Sequence, residues 1–231
     1  MPALTDTLPY TLRRFSAEEV DRLRQAGILP DGGYRLDDGV PVMAGTDRAW
    51  HFTVEDYYRM VEAGVLRPDE RTELFEGHIL HMSPPSSFHS STVSRIARLL
   101  TLLAGERAIV RTQDPIQLGD THPEPDVALL RPREDFYARA HPHPLDVLLA
   151  VEVSMSTLAF DQGPKLAKYA EYGIPEVWIV APEEGWVEVC RRPDVDRYVT
   201  VTRHAHGEAL AVEALPGLAF TVADVLGPAR S

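Results

Sequence analysis

The run Val147–Val153, VLLAVEV, constrains the fold more than any other part of the chain. It is apolar at every position except Glu152. A strand with no polar alternation is buried on both faces, so it needs packed layers on either side. Helical spacing follows over Asp161–Tyr172, and Gly173 is placed to stop that helix. Val177–Val180 is a second buried strand. Upstream, Leu74–Met82 reads as a strand or hairpin turning at Gly77, and SPPSS at 83–87 reads as a loop. Ser90–Leu103 reads as a helix with Val93, Ile96, Ala97, Leu100 and Leu103 on one face. Ala108–Leu118 is expected to be extended, Asp126–Leu130 to be a short strand and 131–146 to be mostly loop. Trp186–Val212 alternates like antiparallel strands, and Thr221–Leu226 reads as a short final helix. The expected architecture is mixed α+β, a mixed central sheet flanked by helices.

The N-terminal part carries a repeat. FSAEEVDRLRQAGIL at 15–29 and FTVEDYYRMVEAGVL at 52–66 share six of fifteen identities. Each copy opens with Ser16 or Thr53 and has an acid three residues later, Glu19 or Asp56, close to a capping box. Gly27 and Gly64 end the two predicted helices. With one extra residue in the second copy, RLDDG at 35–39 lies over ELFEG at 73–77, which sets Arg35 against Glu73. Residues 1–50 are therefore expected to form a small appendage that partly repeats 52–82, with the main domain at 51–231. A recognition or dimerisation arm is the alternative role for the first copy.

An acid inside an apolar strand requires an explanation, because an unpaired buried carboxylate costs several kcal/mol. Glu152 is at a strand edge, paired with Arg, protonated, or a metal ligand. Asp126, after Pro125, opens another apolar strand. Two carboxylates on neighbouring strands can converge on one hard divalent cation such as Mg²⁺. The chain has 21 Arg and only two lysines, Lys165 and Lys168, both on the helix after Glu152. An ammonium there can orient water or offset charge on a phosphate. Lys168 lies on the same broad face and could take that role; Asp161 reads as a cap of this helix.

The stretches GHILHMSPPSSFH and VEVSMSTLAFDQGPKLAKYAEYGIPEVWIV, with the dipeptide Pro125–Asp126, resemble the Uma-two restriction-endonuclease family of the PD-(D/E)XK nuclease superfamily. The resemblance spans roughly residues 52–226. It implies a restriction-endonuclease-like core and Mg²⁺- or Mn²⁺-dependent hydrolysis of DNA phosphodiester bonds. It makes Asp126 and Glu152 the metal-binding acids, helped by the Val153 carbonyl. Lys165 supplies the lysine that other superfamily members carry two residues after the second acid, where this chain has Ser154. Glu73 matches an early acidic residue, binding a second ion or ordering water, and His89 matches a histidine after the SPP loop. The chain departs from the family pattern at Met155 and Ala181, where relatives carry Asp or a Ser-Pro pair, and Asp, respectively.

Charge and composition narrow the remaining classes. A net charge of −12 argues against coating nucleic acid by bulk charge, though not against a cationic groove. Arg95, Arg98 and Arg111 are candidates for such a groove. A single cysteine, Cys190, leaves no disulfide framework and fits a reducing compartment. No apolar run approaches the ~18 residues of a membrane span, and the first residues lack signal-peptide character, so a cytoplasmic location is expected. The histidine pairs His78/His81, His141/His143 and His204/His206 lack the acid-bearing motif of a zinc hydrolase. No P-loop, GxGxxG or nucleophile-elbow sequence is present. The competing reading is a non-catalytic protein on the same fold that binds nucleic acid or a partner. A homodimer is plausible for an enzyme that cuts two strands.

Overall fold

The structure, a computed structural model, describes residues 10–227 of the 231. Residues 1–9 of the expected appendage lie outside the described residues. The chain divides into two compact units: 10–84 with 119–123, and 85–118 with 124–227.

The first unit is built from the repeat. Each copy is a helix followed by a two-stranded hairpin: α1 (Ala17–Gln25), β1 (Tyr34–Asp37) and β2 (Val40–Met43), then α2 (Val54–Glu62), β3 (Thr72–Phe75) and β4 (His78–His81). Both capping boxes form, with Asp56 reaching back to the Thr53 N–H just as Glu19 reaches the Ser16 N–H. Gly27 and Gly64 take left-handed φ of 64° and 65°. The hairpin turns also match: Asp38–Gly39 and Glu76–Gly77 all have positive φ, as two-residue turns of this hand require. At Gly77 a Cβ would lie 2.3 Å from the His51 imidazole, so any other residue would have to displace that ring besides adopting a left-handed φ of 70°. Phe15, Leu23 and Leu29 of the first copy share one core with Phe52, Met60 and Leu66 of the second. The similarity is thus a three-dimensional duplication, and it continues through the weakly similar hairpins.

The second unit holds a six-stranded sheet in the order β10-β9-β8-β7-β6-β5. Its strands are β5 (Ile109–Arg111), β6 (Val127–Leu130), β7 (Val147–Val153), β8 (Glu176–Ala181), β9 (Trp186–Asp194) and β10 (Arg197–Ala205). β7 and β8 pair in parallel; every other neighbouring pair is antiparallel. All seven residues of β7 are buried, as the uniformly apolar run demands. Val127, Leu129, Val151 and Val153 face a core shared with α3 (Ser87–Ala104) and α6 (Val222–Leu226). Ala128, Ala150, Val177 and Ile179 face the opposite core with Tyr169 and Ala170. A short hairpin, β11 (Ala209–Ala211) with β12 (Ala219–Thr221), leads into α6.

Three elements differ from expectation. α3 starts at Ser87, a turn before Ser90, because the Ser86 hydroxyl accepts the His89 N–H. Only Ile109–Arg111 of the extended segment pairs in the sheet; Gln113 at φ 52° turns the chain away from it. The helix expected from Asp161 begins earlier, as α4 (Leu158–Phe160). It passes through a π-helical turn at Asp161–Lys165, where Gly163 and Pro164 interrupt the regular ladder, and continues as α5 (Leu166–Glu171).

Candidate active site

Asp126 immediately precedes β6 and Glu152 is the penultimate residue of β7. Val127 pairs with Val151 in the antiparallel ladder. Continuing that register one step sets Asp126 opposite Glu152. Alternation then puts both acids on the sheet face opposite Val127 and Val151, the face covered by α5.

Asp126 is buried, and three groups approach its carboxylate. The Val153 N–H donates to Oδ2 at 2.8 Å, His89 Nε2 lies 3.2 Å from Oδ2, and Gln113 Nε2 donates to Oδ1 at 3.3 Å. Burial disfavours the charged form. The hydrogen bond and charge of His89, the Val153 amide and the charge of Lys165 outweigh it and hold the carboxyl below the ordinary aspartate range. His89 reaches Asp126 from the first turn of α3 because the Ser86 cap fixes that turn.

Glu152 and Lys165 are each 3% exposed, and the Lys165 ammonium sits 3.1 Å from Glu152 Oε1. Tyr169 Oη donates to the same oxygen at 2.5 Å. Lys165 and Tyr169 are four residues apart across the start of α5, so one helix face aims both donors at one carboxylate. The sequence reading pairs Glu152 with Arg if it is ion-paired at all; the cation beside it here is Lys165. Beside this pair, Asp161 accepts from the hydroxyls of Ser154 at 2.7 Å and Thr157 at 2.6 Å. Asp161 therefore does not cap a helix start. Its burial pushes the carboxyl up, partly offset by Lys165 and the two hydroxyls, while the charge of Asp126 adds to the rise.

The other candidate residues are elsewhere. Lys168 pairs with Glu171 at 2.7 Å. Arg111 pairs with Asp114, and the Arg95 guanidinium lies against Gly227. Glu73 is 2% exposed in β3, opposite Leu80, and belongs to the first compact unit. The sequence reading left out Tyr169 and Gln113. The K-x₃-Y spacing carried a signal for Tyr169. Gln113 acts through a left-handed backbone position in an irregular loop, and no periodicity marks that.

The donor chemistry suits a hard divalent cation. Asp126 and Glu152 offer carboxylate oxygens from adjacent strands, and Mg²⁺ commonly takes one or two carboxylates with water and phosphate completing its shell. Among the described residues no three His, Cys, Asp or Glu side chains cluster as a ready metal cage. Asp126 and Glu152 are the residues present that would hold such an ion.

The mixed central sheet, six-stranded here and flanked by helices, is the restriction-endonuclease-like fold expected from the sequence. The chain belongs to the Uma2 family, described as "Putative restriction endonuclease", whose model matches residues 54–223. A crystal structure from Anabaena variabilis ATCC 29413, described as "a putative nuclease belonging to DUF820", matches with a TM-score of 0.61 at 16% identity. The match covers 76% of this chain and 97% of that one. No curated protein matches the chain. No helix among the described residues is long and apolar enough to cross a membrane.

Proposed function

We propose that this chain is a Mg²⁺- or Mn²⁺-dependent endonuclease that hydrolyses DNA phosphodiester bonds. One observation carries the reading: a lysine from the following helix is buried against an acid in the central strand, Lys165 Nζ to Glu152 Oε1 at 3.1 Å. Asp126 stands beside that acid in the ladder register. Asp126 and Glu152, with the Val153 carbonyl, would hold the ion. When bound, it lowers the pKa of a water and offsets charge on the scissile phosphate. His89, the Val153 amide and Gln113 keep Asp126 ionised and oriented. Tyr169 and Lys165 fix the Glu152 carboxylate, and the Lys165 ammonium would offset negative charge developing on a phosphate oxygen.

The test is nicking of supercoiled plasmid with Mg²⁺, Mn²⁺ or EDTA, using wild type, Glu152→Ala and Lys165→Ala. Circular dichroism checks that each variant is folded. Metal-dependent cleavage by wild type, lost in both variants, is expected. Activity that survives Glu152→Ala would overturn the assignment. DNA binding without cleavage under any metal would move the chain to the non-catalytic reading.

A further inference from the structure

The two helix–hairpin copies of the first unit are joined by contacts that occur twice with the copies exchanged. Leu12, just before the first copy, bridges to Leu80 in the hairpin of the second. Ala49, just before the second copy, bridges to Val42 in the hairpin of the first. The Arg13 N–H donates to the Ile79 carbonyl at 2.7 Å, and the Trp50 N–H donates to the Pro41 carbonyl at 2.7 Å. These are equivalent positions, offset by 37 residues through flank and helix and by 38 in the hairpin. Each flank therefore adds a single antiparallel bridge to the other copy's hairpin.

The helix ends repeat the exchange. Arg22 of α1 donates to the Gly64 carbonyl at 2.5 Å, just past the end of α2. Its equivalent Arg59 of α2 donates to the Ala26 carbonyl at the end of α1, one residue before the position equivalent to Gly64, so the exchange is approximate here. Each arginine thus meets backbone acceptors, and a favourable dipole end, that belong to the other copy. Phe15 and Phe52 approach across the same axis, with ring centroids 6.0 Å apart. In each copy the opening Phe N–H also donates to the glycine carbonyl of its own hairpin turn, Gly39 or Gly77. A contact set in which residue i meets j and the equivalent of j meets the equivalent of i is that of an isologous two-fold dimer. Here it lies within one chain.

We infer that the surface of residues 52–81 covered by the first copy is a docking surface for a module of this same helix–hairpin type. The first copy is a built-in partner, and the corresponding module of a second copy of this chain can take its place. Within one chain the built-in partner wins, because tethering gives it an effective concentration on the order of millimolar. Exchange between chains needs that advantage to be removed.

Two complementary variants of the full chain remove it. Leu23 and its equivalent Met60 are both fully buried in the shared core. Leu23→Asp spoils only the first module, and Met60→Asp spoils only the second. Neither chain alone can form the exchanged pair. Mixed, the intact first module of the Met60→Asp chain can dock on the intact second module of the Leu23→Asp chain. With different affinity tags on the two chains, the mixture is expected to co-purify as a 1:1 pair. Light scattering should show the added mass of a second chain, and residues 11–43 should regain protease resistance. A chain carrying both substitutions should pair with neither itself nor wild type. Arg22→Glu with Arg59→Glu is a milder complementary pair that leaves each module's core intact and should shift exchange in the same direction to a smaller, measurable extent. A mixture indistinguishable from its separate components for both pairs overturns the inference, as does association that persists in the doubly substituted chain.

Discussion

Replacing Lys165 with Met keeps the length and apolar stem of the side chain and removes its charge. In the folded protein the substitution takes the Lys165 ammonium away from Glu152, which is 3% exposed, while the Tyr169 hydroxyl stays. Breaking one side of a buried ion pair costs about 3–5 kcal/mol, because the remaining charge keeps its desolvation penalty and loses its compensation. With a urea slope of about 2 kcal/mol per molar, the unfolding midpoint of the sheet unit should fall by roughly 1.5–2.5 M. Removing both charges, as Glu152→Gln with Lys165→Met, should recover most of that loss, since an uncharged amide can still accept from Tyr169. Urea titrations followed by tryptophan fluorescence measure this directly, because Trp178 is fully buried in the same sheet. Plasmid cleavage is expected to be absent in the single and double variants alike, which separates the structural cost from the chemical one. If the double variant is as unstable as Lys165→Met, loss of the Lys165–Glu152 pair is not the source of the destabilisation and the argument fails.

Three further outcomes follow from the same geometry. Asp126 has a folded-state pKa below its unfolded one, so its contribution is present above the unfolded value and is lost as pH falls through the folded value. His89→Ala removes a principal cause of that depression, and the acid-unfolding midpoint seen by circular dichroism should move to higher pH; an unchanged midpoint counts against the His89–Asp126 contact. Asp161 is the opposite case, because its raised pKa means that stability is lost as pH climbs from the unfolded value through the folded one. Asp161→Asn should be more stable than wild type at neutral pH, with the gap closing toward about pH 4; a gap that does not depend on pH refutes this. Tyr169→Phe removes one hydrogen bond to a charged acceptor, worth about 1.5–3 kcal/mol, and should weaken Mn²⁺ binding measured by calorimetry. Unaltered Mn²⁺ affinity would show that Tyr169 does not orient Glu152 for the ion.

What could be read from the residues alone depended on whether the physical cause was local. The buried run at Val147–Val153 and the acid within it were visible because a continuously apolar strand has few alternatives. The helix boundaries at Ser16, Thr53, Gly27 and Gly64 were visible because capping is carried by residues three or four apart. Pairing of Glu152 with Lys165, rather than with an arginine, was not fixed by spacing. It depends on a π-helical turn that Gly163 and Pro164 permit but do not announce. The reach of Gln113 to Asp126 and the crossing of Thr11–Arg13 onto the second hairpin depend on long-range closure, which no local pattern encodes. The hairpin similarity was faint because its two faces differ chemically: Arg35 is 45% exposed and paired with Asp37 and Asp47, while Glu73 is buried.

The irregular turn at Asp161–Lys165 also bears on how this chain can vary. In a helix each residue advances the phase by about 100°, so inserting or deleting one residue swings every later side chain to a new face. Lys165 and Tyr169 lie on the far side of that turn from the Ser154–Asp161 contact, and both are aimed at one oxygen of Glu152. Shortening 161–164 by one residue would rotate both donors away from Glu152 while leaving every strand of the sheet intact. Gain or loss of a residue should therefore be purged more strictly here than exchange of one residue for another. Among natural variants, segment length should stay fixed where sequence drifts.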